Sequence, residues 1–150
     1  MYRFLLTTIL VIALCYTGCS DDSSTPIIPD PDTLTLMTKD DSVIANAYIV
    51  RDAVEAFAAA NNGVYPWITT SEGLDGQTLI DLLPEGKLLL NPYWGLLDSP
   101  VDGLAAQAGQ VGYVAWDVDG DGNRDGYTID ALGADGATQL IVLFKDPREP

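Results

Sequence analysis

The chain has 150 residues and a formal net charge of −15, with 22 acidic and only 7 basic residues. Its basic residues are scattered, which excludes a nucleic-acid-binding protein, because phosphate contacts need clustered Lys and Arg. There is no histidine, and the two cysteines, Cys15 and Cys19, lie near the N-terminus. Ser-His-Asp catalysis, Cys-His catalysis and His/Cys zinc sites are therefore excluded. Carboxylates, hydroxyls and a hard metal ion remain available for chemistry.

The first residues are typical of an export signal. An apolar run at residues 4–14 follows a single arginine, is too short to span a bilayer, and is followed by small residues. Residues 17–19, Thr-Gly-Cys, resemble the cleavage box of bacterial lipoproteins. The resemblance implies that residues 1–18 are a signal peptide and that Cys19 carries lipid, so that the protein is anchored in the cell envelope, on the periplasmic side or at the cell surface. Ordinary signal cleavage or an uncleaved anchor is the alternative.

A polar segment separates the signal from the rest of the chain. Residues 20–33, SDDSSTPIIPDPDT, contain three prolines together with Ser and Asp residues. This composition favours an extended spacer over a packed element. We therefore assign residues 19–37 to a lipidated cysteine and tether, and residues 38–150 to the folded domain.

A long amphipathic helix is predicted at the start of that domain. Residues 38–41, Thr-Lys-Asp-Asp, can cap its N-terminus, and residues 61–63, Asn-Asn-Gly, end it, with Gly63 suited to a left-handed cap. Apolar residues recur between them at alternating spacings of four and three, which makes one stripe. We interpret the stripe as facing the core, and a partner helix is the alternative. The stripe consists of Val43, Ala47, Val50, Val54 and Phe57.

The remainder of the chain predicts one short helix at residues 76–84, a loop at residues 96–110 and three strands. Asp-Gly-containing turns separate the strands, so they are expected to form an antiparallel meander whose apolar face the long helix covers. The predicted fold class is α+β, a long N-terminal amphipathic helix packed on a small antiparallel β-sheet. The predicted strands are residues 109–116, 126–132 and 139–144.

The order of short motifs along the chain resembles the globular domain of type IV pilins, and most of all the major pseudopilin of type II secretion systems. The resemblance implies a pilin-like fold and an assembly role beside secretion or pilus proteins. That family begins with a basic leader and a continuous apolar helix, where this chain has Cys19 and the tether. The matching motifs are Asn-Gly-Val-Tyr-Pro at 62–66, Asn-Pro-Tyr-Trp-Gly at 91–95, Gly-Tyr-Thr-Ile at 126–129 and Leu-Gly-Ala-Asp-Gly at 132–136.

The segment DVDGDGNRDGY, residues 117–127, crowds aspartates into one turn, where their repulsion is unfavourable unless a cation neutralises it. The spacing of its oxygen ligands predicts a calcium site, with Gly122 allowing the sharp turn. Thr128 stands where an EF-hand has a bidentate Glu, so the loop resembles more closely the calcium loops of integrin-type β-propellers. A solvated hairpin without an ion is the alternative. The predicted metal ligands are Asp117, Asp119, Asp121, Asn123 and Asp125.

Other candidate sites are weaker. The three tryptophans of the chain, at positions 67, 94 and 116, are interpreted as core residues, with a sugar-stacking platform as the alternative. Asp52 and Glu55 suggest acid–base chemistry, but a solvated helix face beside Arg51 explains them more simply. No catalytic residue is therefore predicted.

These patterns together predict a non-enzymatic envelope lipoprotein that binds calcium. It would be an interaction or assembly component related to type II secretion or type IV pilus systems. The alternative is an independent calcium-dependent adhesion or ligand-binding module. A hydrolase that uses carboxylates ranks last, because no two acids are paired across a recognisable cleft.

Overall fold

The computed structural model describes the backbone of residues 31–148 and the side chains of residues 38–148. The predicted signal peptide, the predicted lipidation site Cys19 and most of the predicted tether lie outside the described residues. Within the part that is described, no helix combines the length and the apolar character that crossing a bilayer requires.

Helix α1 spans Pro31–Ala60, a length of 30 residues. The helix begins at Pro31, ahead of the cap predicted at residues 38–41. Proline is favoured at the first helical position, because an N–H group there would have no hydrogen-bond partner within the helix. The predicted core-facing stripe is confirmed, since all five of its residues are buried. They are Val43, Ala47, Val50, Val54 and Phe57.

The predicted end of α1 is confirmed. Asn62 and Gly63 both have positive φ angles, of 58° and 86°. The Gly63 N–H donates to the carbonyl oxygen of Ala58 at 2.8 Å, which satisfies one of the helix's last carbonyls. The chain therefore turns sharply after the helix and leads directly into Tyr65 and Pro66, both of which are buried.

Two 3-10 turns, Ile80–Leu82 and Pro84–Gly86, replace the single short helix predicted at residues 76–84. Leu83 is extended between them, with ψ at 160°. The residue before a proline avoids the helical region, because it would clash with the proline ring. Pro84 therefore stops the first turn before a helix can grow.

The strands form two sheets. One contains two antiparallel strands, and the other contains four strands in the order β3-β4-β5-β6. In the larger sheet β3 runs parallel to β4, whereas β4, β5 and β6 form antiparallel neighbours. The strands are β1 Leu89–Leu90, β2 Leu97–Ser99, β3 Val101–Asp102, β4 Val111–Trp116, β5 Gly126–Leu132 and β6 Gln139–Lys145.

The predicted fold class, a long helix on one small antiparallel sheet of the pilin type, is wrong. The described residues form two sheets, and the larger one is mixed because of the parallel β3. The three strands that the sequence missed contain only two or three residues each. Alternation of apolar and polar residues needs at least four residues to be recognised. Residues 96–110 were therefore predicted to be loop, although β2 and β3 lie within them.

The core lies between α1 and one face of the larger sheet. Most of the buried stripe of α1 packs there against side chains of β4 and β5, and against Leu79 and Leu83, which flank the first 3-10 turn. The rings of Tyr65 and Tyr127 meet edge to face, with centroids 5.0 Å apart. This packing fixes β4 and β5, and thereby the loop that joins them. The sheet residues of the core are Val111, Tyr113, Tyr127, Ile129 and Ala131.

Candidate metal centre

Residues 117–125, here called the aspartate loop, connect the antiparallel strands β4 and β5. The last residue of β4, Trp116, is paired with the first residue of β5, Gly126. The Asp125 N–H donates to the Trp116 carbonyl oxygen at 3.1 Å, which adds a backbone hydrogen bond just beyond the paired strand ends. The loop therefore rises from a closed hairpin base whose strands are buried against α1.

Three of the predicted ligands come together in the loop. Asp117, Asp119 and Asp121 each place one carboxylate oxygen so that these oxygens all lie within 4.8 Å of one another. Asp117 is partly buried and the other two are exposed. Three carboxylate oxygens at these separations could hold a metal ion, and carboxylates suit hard cations.

The backbone of the loop keeps these carboxylates in place. Asp117 accepts hydrogen bonds from the N–H groups of Gly120, at 2.6 Å, and Gly122, at 2.8 Å. Both glycines have positive φ angles, 80° and 93°, which residues with a Cβ seldom adopt. Asp119 accepts from the Asp121 N–H at 3.1 Å. The loop thus curls around its own first aspartate.

Asp121 is held by its neighbour Asn123. The backbone N–H and the side-chain amide of Asn123 donate to the two carboxylate oxygens of Asp121 at 2.7 and 2.9 Å. These donors lower the pKa of Asp121 below its usual value, because they stabilise the ionised form. Asp121 is therefore an ionised, oriented carboxylate at neutral pH.

The other two predicted ligands have a different position. Asp125 accepts a hydrogen bond from the Val118 N–H at 2.8 Å and so ties the two ends of the loop together. It is not among the carboxylates that meet in the described residues. The side chain of Asn123 faces Asp121. The structure therefore brings together three of the five predicted ligand residues and leaves Asn123 and Asp125 beside them.

Arg124 connects the aspartate loop to the segment that follows α1, a role that the sequence analysis missed. Its guanidinium lies 3.7 Å from the Asp117 carboxylate and 3.5 Å from the centre of the Trp67 ring. Its carbonyl oxygen accepts from the Tyr65 N–H at 2.8 Å. An arginine inside a run of aspartates is the sequence signal that could have indicated an internal ion pair.

A cavity of about 470 Å³ adjoins the loop. Its walls are the end of α1, the segment at residues 64–74, and Gly122, Asn123 and Arg124 of the aspartate loop. This volume is within the range of small-molecule sites in proteins. The cavity therefore shares residues with the candidate metal centre.

Two of the three tryptophans that were interpreted as core residues lie at the surface. Trp67 is 63% exposed and Trp94 is 60% exposed, so the core interpretation is wrong for both. Trp116 is partly buried, and its indole N–H has no hydrogen-bond partner among the described residues. The core interpretation followed the general tendency of large aromatic side chains in a small domain to be buried, but Trp67 and Trp94 lie at the surface.

The two acidic residues of α1 do not form an acid–base pair. Asp52 is exposed and pairs with Arg51 at 2.6 Å. Glu55 accepts hydrogen bonds from the hydroxyls of Tyr127, at 2.8 Å, and Tyr65, at 3.4 Å. Glu55 therefore joins α1 to β5 and to the segment after the helix.

No protein family model, no curated protein and no solved structure matches this chain.

Proposed function

We propose that the chain is a non-enzymatic, lipid-anchored envelope protein whose aspartate loop holds a structural calcium ion. The observation that carries this proposal is the meeting of the Asp117, Asp119 and Asp121 carboxylates within 4.8 Å. Calcium accepts six to eight oxygen ligands in flexible geometries, whereas magnesium demands a near-ideal octahedron. A loop with additional oxygens nearby, from Asn123 and Asp125, suits the larger and more tolerant ion.

A structural role fits the position of the loop better than a switching role. The loop joins two strands of one sheet, and both strands are buried against α1. Sensor sites instead lie between helices whose angle changes when calcium binds. An ion at this turn would neutralise the repulsion of three carboxylates and hold the β4–β5 hairpin in its register.

The first test is thermal unfolding with and without calcium. Extracellular calcium modules have dissociation constants near 10⁻⁴–10⁻³ M, so about 5 mM calcium would stabilise the fold by about 1–2 kcal/mol. We expect the Tm to rise by roughly 3–12 °C over its value in chelator. Asp119→Ala should abolish most of this rise.

Asp75→Ala is the matched control for Asp119→Ala. Both aspartates are exposed, and each accepts one hydrogen bond from the N–H two residues later, at 3.0 Å for Asp75 and 3.1 Å for Asp119. Asp75→Ala should keep the full calcium-induced rise. If the wild-type Tm is the same in calcium and in chelator, the proposed calcium site does not exist.

The partners that we propose are secretion or pilus proteins, on the basis of the motif order described above. Glu55 and Asp52 are engaged in polar contacts with neighbouring side chains, so neither is proposed as a catalytic acid or base. Co-purification of the lipidated chain with secretion or pilus subunits would support the assembly role. Normal secretion and normal pili in a strain without this protein would contradict it.

A calcium-dependent ligand-binding module is the second candidate function. It is favoured by the exposed Trp67 at the edge of the 470 Å³ cavity, beside the aspartate loop. A ligand that covers the exposed part of this large apolar ring would gain favourable binding free energy.

A further inference from the structure

The cavity beside the aspartate loop has one large aromatic wall. The guanidinium of Arg124 covers one face of the Trp67 ring at 3.5 Å. The residue nevertheless remains 63% exposed, so the opposite face of the indole is open to solvent. An open indole face beside a concave surface is a stacking platform for an apolar face of a ligand.

Polar groups surround this platform. Asn62 lies in the left-handed turn after α1, and both Asn62 and Glu72 line the cavity. Their side chains form no hydrogen bond or ion pair with other residues of the described chain. Asn123 and Arg124 add further polar atoms from the aspartate loop. The cavity wall thus presents both hydrogen-bond donors and acceptors to a ligand.

The charges around the cavity disfavour an ionic ligand. Among the described residues, Arg124 is the one cation that lines the cavity, and it already lies 3.7 Å from the Asp117 carboxylate. Glu72 on the wall and the net charge of −15 would repel an anion. The Arg124 guanidinium already makes the cation–π contact with the ring, so a second cation on the open face would meet its charge across the indole. A neutral ligand with many hydroxyl groups avoids both conflicts.

We propose that this cavity binds a neutral saccharide, with one sugar ring stacked on the open face of Trp67. A pyranose ring presents an apolar C–H face and a rim of hydroxyl groups, which match the indole and the surrounding Asn62, Glu72 and Asn123. The saccharide proposal rests on the proposed calcium site only for one expectation, that calcium strengthens saccharide binding. Asn123 and Arg124 of the aspartate loop line the cavity, so an ion that orders the loop also orders one wall of the cavity.

The test uses the full chain without its signal peptide, in about 5 mM calcium. The probes are a panel of glucose, galactose, mannose and N-acetylglucosamine, each as a monosaccharide and as a short oligomer. Binding is measured by saturation-transfer difference NMR and by titration calorimetry. We expect at least one of these probes to bind, and Trp67→Ala to weaken its binding by about tenfold or more.

Trp94→Ala is the matched control, because Trp94 is equally exposed and lies outside the cavity. It should leave saccharide binding unchanged. Glu72→Gln should also weaken binding, with no change in the calcium-induced rise in Tm. Chelator should lower the affinity of the wild type several-fold.

The outcomes separate this inference from the proposed calcium site. If calcium raises the Tm but no probe binds, the saccharide inference is overturned and the calcium site remains. If a probe binds through Trp67 but calcium changes neither the Tm nor the affinity, the cavity is a saccharide site and the calcium proposal fails. Equal losses in Trp67→Ala and Trp94→Ala would also overturn the inference, because binding would then not be located in the cavity.

Discussion

Asn91 shows how a single side chain can organise a turn. It is fully buried, and its amide donates to the carbonyl oxygen of Ala108 at 2.9 Å and to the carboxylate of Asp98 at 3.2 Å. Its side-chain oxygen accepts from the Tyr93 N–H at 3.0 Å. The Gly95 N–H donates to its backbone carbonyl at 2.8 Å. The turn between β1 and β2 is therefore built around this asparagine.

Asn91→Ala should destabilise the fold because it removes three hydrogen bonds and leaves the Tyr93 N–H without its partner. We expect the free energy of unfolding to fall by about 1–3 kcal/mol, as measured by urea denaturation. Asn46→Ala is the control, since the Asn46 side chain makes one exposed hydrogen bond, to Leu90. It should change stability by about 0.5 kcal/mol or less. Equal losses in both variants would show that Asn91 has no special role.

At the scale of elements, the attachment of β3 depends on a glycine in β4. Val101 of β3 is paired with Gly112, and the Asp130 carboxylate accepts from the Ala105 N–H at 3.0 Å just beyond. A Cβ on Gly112 would overlap the Ala105 nitrogen, the Asp130 carboxylate and, at 2.6 Å, the Gly103 carbonyl oxygen. Only glycine therefore lets the segment after β3 lie against the sheet.

Gly112→Ala should push this segment off the sheet. We expect a loss of about 1–3 kcal/mol in unfolding free energy, because backbone and a buried carboxylate must shift. Hydrogen exchange should accelerate at residues 101–105 more than in β5 and β6. Gly133→Ala is the control, because its Cβ would meet the flexible Leu140 side chain at 3.1 Å. Unchanged hydrogen exchange at residues 101–105 in Gly112→Ala would contradict the role of Gly112 in holding this segment against the sheet.

At the scale of the whole molecule, buried tyrosines link the helix, the sheet and the loop that follows the helix. Burial, and then the neighbouring Glu55 carboxylate, raise the pKa of Tyr65 to about 12. The pKa values of Tyr93, Tyr113 and Tyr127 are also raised, in each case mainly by burial. Their phenols ionise more easily in the unfolded chain, where the pKa is about 10.

These shifts predict alkaline unfolding. A raised pKa stabilises the fold below the unfolded value of about 10, and this stability is lost as the pH rises from about 10 towards 12. We expect the Tm to fall steeply over that interval, together with the appearance of phenolate absorbance. Glu55→Gln should let Tyr65 and Tyr127 ionise at lower pH, because it removes the negative charge beside both hydroxyls. A constant Tm up to pH about 12 would contradict the prediction.

Long periodic elements could be predicted from the sequence, and contact-dependent ones could not. The stripe of α1 and the strands β4 to β6 carry enough residues to show their periods. β1, β2 and β3 are too short for a period and exist because Asn91, Ser99 and Gly112 make specific contacts.

In the candidate site, too, local spacing could be predicted from the sequence and tertiary contacts could not. The spacing of aspartates predicted the meeting of Asp117, Asp119 and Asp121 because a tight turn brings alternate residues together. The contact between Arg124 and Trp67 spans 57 positions of sequence and depends on how α1 packs on the sheet. No local pattern could predict that contact, or the cavity that it borders.

The chain order has a consequence for biosynthesis. The apolar stripe of α1 is made early, and the strands that cover it, β4 and β5, are made much later. Chains grow from the N-terminus at about 5–20 residues per second, so for several seconds a nascent chain would display Val43, Val50 and Val54 with nothing to bury them. Folding therefore waits for almost the entire chain, and a chain truncated before residue 126 would lack β5 and leave part of this stripe uncovered and prone to association.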